Sequence, residues 1–127
     1  PLAIIDKRRQ RANVSEVMNI IGDVRGKQVI LVDDMIDTAG TLCNAASALM
    51  DIGGAKNVIA CATHGILSGP AIERLENSVI SEVYLLDTVP LPASKKIDKI
   101  KVLPVANMFT EAIRRIYEEV SVSEIFA

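Results

Sequence analysis

Between Val29 and Thr41 the chain reads VILVDDMIDTAGT, placing two adjacent carboxylates, Asp33 and Asp34, where an aliphatic run ends. Asp37, Thr38, Ala39, Gly40 and Thr41 follow them. Backbone N–H groups at the start of a helix point outward and attract anions, a glycine lets an anion approach closely, and threonine hydroxyls add donors. The stretch from Thr38 to Thr41 therefore reads as a cradle for a phosphate monoester. Asp33 and Asp34 would repel that phosphate, but carboxylates accept paired hydrogen bonds from vicinal sugar hydroxyls and can hold magnesium through water. Acids and cradle together describe a sugar phosphate. The plainer reading is that the aspartates cap a turn and that Thr38 or Thr41 caps a helix. The whole string is more specific than either half, which favours the functional reading.

Other residues with chemical potential carry less by themselves. Lys7-Arg8-Arg9-Gln10-Arg11 is a basic interruption between the apolar runs Leu2–Ile5 and Val14–Ile21, expected as a solvated, mobile loop. Most such charge runs are solvated turns. The single histidine, His64, follows an apolar run and is assigned to capping or packing. Cys43 and Cys61 lie in apolar segments without CxxC spacing, so reduced thiols are expected rather than a zinc site or a disulfide framework.

The elements that must position these residues alternate. Val29–Val32 is continuous and aliphatic, as in a strand buried on both faces of a parallel sheet, and is expected to be the central strand. A helix is expected over Leu42–Asp51, stopped by Gly53-Gly54. Further strands are expected at Val58–Ala62, Val83–Leu86 and Ile97–Leu103. A short helix is expected from Pro70 to Leu75 and an amphipathic one over Ala106–Glu118. Strand and helix in alternation give an α/β class built of right-handed units.

With 127 residues, half of them hydrophobic, the chain suits one domain. A net charge of −2 and 3% aromatic residues disfavour nucleic acid as a partner. No apolar run approaches the ~18 residues of a membrane span, and the start has no signal-peptide pattern, so a cytoplasmic location is expected. Pro1 leads directly into an apolar run, from which missing upstream sequence is expected.

The VILVDDMIDTAGT string resembles the phosphoribosyl-pyrophosphate motif of the type I phosphoribosyltransferase fold. Many enzymes of that fold have two glycines before the last threonine, where this chain has Ala39 and Gly40. With Asp37 opening the loop, the variant is similar to the ribose-phosphate pyrophosphokinase family. IIDKRR from Ile4 to Arg9 matches that family's catalytic loop, THGILSGPA from Thr63 to Ala71 another of its segments, and SVSEIF from Ser121 to Phe126 its usual ending.

The resemblance implies a three-layer sandwich with a mostly parallel central sheet. It also implies that residues 1–127 form one domain lacking its first elements and an amino-terminal ATP-binding domain. The implied reaction moves the pyrophosphoryl group of ATP to the anomeric hydroxyl of ribose 5-phosphate, giving phosphoribosyl pyrophosphate and AMP, with magnesium as cofactor. Lys7 and Arg9 match catalytic residues. Asp33, Asp34 and Asp37 would hold ribose hydroxyls, while Thr38, Ala39, Gly40 and Thr41 would hold the 5-phosphate. Ser121 and Ser123 match a segment that helps form a regulatory site for ADP or phosphate at a subunit interface, or else belong to a polar tail. A dimeric or hexameric homo-oligomer is implied, and the fragment alone is expected to be inactive. The alternatives are a phosphoribosyltransferase, a noncatalytic regulatory homologue, and a receiver-like signalling domain. The basic segment and the SVSEIF ending disfavour the first, the retained Lys7 and Arg9 the second, and the phosphate loop the third.

Overall fold

The computed structural model describes residues 1–8 and 17–126. Strands β1 (Ile4–Arg8) and β2 (Val17–Ile21) form an antiparallel pair in which Ile4 aligns with Ile21 and Lys7 with Met18. Lys7 and Arg8, expected in the basic loop, instead belong to β1, because the apolar run continues its hydrogen-bonded ladder through them.

A second sheet holds β3 (Gln28–Ile36), β4 (Asn57–Gly65), β5 (Glu82–Leu86) and β6 (Ile100–Leu103), all parallel and in that order. Helix α1 (Gly40–Asp51) connects β3 to β4, and α2 (Ala71–Glu76) connects β4 to β5. The α/β class with a mostly parallel sheet is as expected. No helix among the described residues is long and apolar enough to cross a membrane.

The core forms where α1 lies on β4. Leu42, Ala45, Ala46, Ala48 and Leu49 are buried on the helix, and Val58, Ala60 and Ala62 on the strand. Alanines on both surfaces keep helix and sheet close, while Leu49, Leu67, Leu75, Ile80, Val83 and Leu85 supply bulk. Full burial of each large side chain contributes roughly 1.5–3 kcal/mol.

Helix α1 stops as its glycines predict. The Gly53 amide donates to Ala48 O and the Ala55 amide to Leu49 O, both at 3.0 Å, and Gly54 takes φ +68°. A Cβ on Gly53 would lie 2.6 Å from Val24 Cγ2 and 2.7 Å from Leu49 O, so this corner admits no side chain. At the far end of α2, Lys99 Nζ donates to the carbonyls of Leu75 and Glu76 at 3.0 Å and of Ser78 at 2.9 Å. A cation there suits the negative end of the helix.

Several expectations change. β3 runs on through the two aspartates to Ile36, and β4 through Thr63 and His64 to Gly65, because backbone pairing continues where apolarity stops. Among the described residues β3 borders the four-stranded sheet rather than lying at its centre, with Ile30 61% and Val32 80% exposed. A continuous aliphatic run reports that a strand tolerates cover on both faces, not which neighbours cover it. β6 begins at Ile100 because a turn occupies residues 98–99, closed by the Ile100 amide donating to Ile97 O at 3.0 Å. Helix α3 (Ala106–Tyr117) matches its expected span, yet buries no residue, and Phe109, Ile113 and Ile116 remain exposed.

Candidate functional site

The acidic end of β3 is held from behind by the segment that joins β4 to α2. Ile36 is 2% exposed, and its carbonyl accepts the amides of Ile66 and Leu67, each at 3.0 Å. The next carbonyl, of Asp37, accepts the Ser68 amide at 3.0 Å, and the Asp37 carboxylate accepts the Ser68 hydroxyl. The carbonyl after that, of Thr38, accepts a hydrogen bond from Arg74 Nη1 at 2.9 Å. Three consecutive residues are thus tied to the stretch Ile66–Arg74. This gives the THGILSGPA segment a physical role as the backing of the loop.

Ala39 then turns the chain into α1 with φ 59° and ψ 2°, and its methyl is buried in the core. A residue with a Cβ adopts this left-handed conformation at a cost of about 1–2 kcal/mol, so the surrounding bonds must hold it. Helix starts leave several N–H groups without helical partners. Ala39 has no side-chain oxygen to cap them, and the first turn of α1 carries no acidic residue. A helix start of this kind, with no acidic side chain in its first turn, favours an anion. Gly40 sits where a Cβ would come 3.1 Å from Arg74 Nη1.

Asp33 and Asp34 both expose their side chains, and the Asp34 amide donates to Asp33 Oδ1 at 2.9 Å. Asp33 shares with Thr41 the lining of a cleft of about 690 Å³ that runs between β3 and the residues Pro1–Ile5. Asp37, by contrast, is already engaged by Ser68 and acts here as a latch on the loop.

His64 ends the same sheet edge. The Thr88 hydroxyl donates to Thr63 O at 2.7 Å, so its oxygen is left to accept from His64 Nδ1 at 2.8 Å. A hydroxyl has one proton to give, which assigns the neutral imidazole proton to Nδ1. His64 is thus a bonded, positioned residue, in keeping with a capping role.

Among the described residues no group of three or more His, Cys, Asp or Glu is placed to hold a metal. The pair Asp33 and Asp34 nevertheless fits magnesium, which commonly takes one or two carboxylates and completes its shell with waters and substrate phosphates. Both cysteines are free thiols. Burial pushes Cys43 and Cys61 above the ordinary thiol range, away from the reactive thiolate.

Of the other expected site residues, Lys7 is in β1 and Arg9 lies outside the described residues. Ser121 and Ser123 are remote from the loop along the chain and lie beside and within a 3-10 turn at Val122–Phe126. Their hydroxyls bond to each other at 2.7 Å, and Arg115 Nη1 donates to Ser121 O at 2.8 Å and to Glu124 Oε2 at 2.7 Å. Glu111 completes this lattice: hydrogen bonds from Arg114 and then Arg115 draw its carboxyl down to about 2. The sequence reading missed Arg74 and Ser68 as parts of the loop. Ser68 stands inside a matched segment, whereas nothing in the local pattern distinguishes Arg74 from a surface cation.

Residues 6–127 match the phosphoribosyl synthetase-associated domain family. The chain is 68% identical over 126 residues to a ribose-phosphate pyrophosphokinase of Clostridium acetobutylicum, covering 99% of this chain and 39% of that protein. It is 69% identical to one of Caldanaerobacter subterraneus over 99% of this chain and 40% of that protein. The crystal structure of phosphoribosylpyrophosphate synthetase from Mycobacterium smegmatis superposes with a TM-score of 0.81 at 41% identity, over 94% of this chain and 37% of that one. The chain thus spans about two fifths of the length of the relatives it matches.

Proposed function

This chain belongs to the phosphoribosyl synthetase-associated domain family, and from that premise we propose that the β3–α1 end of its sheet is the ribose 5-phosphate half of a ribose-phosphate diphosphokinase site. The observation that carries the reading is the start of α1, with no side-chain cap and no first-turn acid, joined by one short loop to two exposed carboxylates on β3. The fold is read as the type I phosphoribosyltransferase kind, and the rest of the enzyme as supplying most of the ATP contacts.

In this reading the amides and hydroxyls of Thr38–Thr41 hold the 5-phosphate, and Asp33 and Asp34 accept hydrogen bonds from the ribose hydroxyls. Fixing both ends of the sugar orients the anomeric oxygen, so that positioning lowers the barrier to transfer. That oxygen bonds to the β-phosphorus of ATP and releases its proton to solvent. The bond from the β-phosphorus to the oxygen bridging the α- and β-phosphates breaks, and AMP leaves with that oxygen. Lys7 and Arg9 are assigned to neutralising charge on the migrating group, the main demand of such transfers. Magnesium, when bound, supplies further charge neutralisation on phosphate oxygens. Asp37 serves the site by holding the loop through Ser68. Ser121 and Ser123, beside the cationic Arg115, are assigned to an ADP or phosphate effector site in a homo-oligomer.

Calorimetric titration with ribose 5-phosphate, with and without magnesium, against free ribose and inorganic phosphate tests the half-site. Ribose 5-phosphate should bind more tightly than either control. Asp34→Ala should weaken it by roughly tenfold, the loss of hydrogen bonds to a charged acceptor, while inorganic phosphate binding stays level or improves. Equal affinity for ribose 5-phosphate and inorganic phosphate would remove the acids from the site.

A further inference from the structure

We infer that Arg74, on α2, is a positioning residue for the phosphate loop: its guanidinium holds the Thr38 carbonyl so that the following amide is aimed into the anion cradle. The inference rests on the ribose 5-phosphate reading of that loop, but its geometry stands apart from any ligand.

A trans peptide is planar, and its C=O and N–H point in opposite directions. The Thr38 carbonyl and the Ala39 amide belong to one such unit. With the carbonyl turned toward Arg74 Nη1 at 2.9 Å, the Ala39 N–H is directed to the opposite side of the loop. Ala39 then takes its left-handed turn at φ 59°, so that successive amides converge as they do in backbone anion nests. Without the anchor this peptide could rotate and present a carbonyl to the phosphate, a repulsive contact.

Two further observations tie Arg74 to this task. The space left by the missing Cβ of Gly40 is where the guanidinium sits, since a Cβ there would lie 3.1 Å from Arg74 Nη1. Gly40 therefore admits the anchor as well as the anion. The other side of Arg74 is also fixed, because its own backbone carbonyl faces Cys43 Sγ of α1 at 3.6 Å, and its amide donates to Pro70 O at 3.0 Å. The guanidinium thus reaches the loop from a fastened backbone.

Backbone relaxation of the unliganded chain tests the inference directly. In Arg74→Ala the order parameters of the Ala39, Gly40 and Thr41 amides should fall from about 0.85 to below about 0.6, while those of Val58, Ala60 and Val83 hold. Ribose 5-phosphate should bind about tenfold more weakly, the usual scale for one hydrogen bond. Arg74→Gln, which keeps a donor and discards the charge, should recover most of that loss. Gly40→Ala should cost less affinity in the Arg74→Ala background than alone, because the clash is with the guanidinium. Rigid loop amides in Arg74→Ala would overturn the inference. So would a Gln variant as weak as Ala beside a Lys variant as tight as the parent, since Arg74 would then act by charge. If the parent bound no ribose 5-phosphate, the ligand reading would fail while the relaxation result still decided the role of Arg74.

Discussion

Helices α1 and α3 are each 12 residues long, and they are held by different forces. Helix α1 buries five residues against the sheet, and its start is fixed by a loop bonded at Ile36, Asp37 and Thr38. Helix α3 buries none. Its last turns are joined to the chain end through Glu111, Arg114, Arg115 and Glu124. Apolar burial resists pH and salt, whereas exposed ion pairs are screened and titrate. The proposed ligand end thus stands on the rigid construction, and the segment assigned to regulation on the responsive one.

The comparison is broken most severely in the core. Leu49 is 1% exposed, and Leu49→Ala should lower unfolding free energy by about 2–5 kcal/mol, read from urea denaturation. A loss near zero would mean that α1 is not seated on the sheet.

Acid should divide the two regions. The folded Glu111 carboxyl titrates at about 2, below its ordinary 4.5, so its contribution is complete above 4.5 and fades as the pH falls toward 2. Amide signals of Ser121 and Ser123 should shift over that window before those of Leu49 and Val58 do. Simultaneous shifts would show one cooperative unit rather than two.

The smallest effect should come from the apolar stripe of α3. Ile113 is 65% exposed, and Ile113→Ala should change stability by no more than about 0.5 kcal/mol, again by urea denaturation. A loss comparable to that of Leu49→Ala would mean that α3 is covered in solution.

Much of the fold was legible because its signals are local. The run Val29–Val32, the alanine and leucine spacing of α1 and the glycines at 53 and 54 each limit the backbone within a few residues. Boundaries shifted where hydrogen bonding outlasted apolarity, as in β3 through Asp33 and Asp34. The candidate site was legible to the same depth: acids, threonines and Gly40 all fall between Asp33 and Thr41, and their order suggests an anion beside a sugar. The bond between Asp37 and Ser68 was not legible, because the two residues stand 31 positions apart.

What the sequence determined by itself was the order of acids, threonines and glycine in one loop and the alternation of elements around it, since both depend on neighbours in the chain. Only the tertiary structure decided that β3 borders the four-stranded sheet among the described residues, that α3 keeps its apolar face exposed, and that Arg74 reaches the Thr38 carbonyl across 36 positions. These depend on which surfaces meet after folding, and a surface cation looks the same in sequence whether it faces water or a peptide carbonyl.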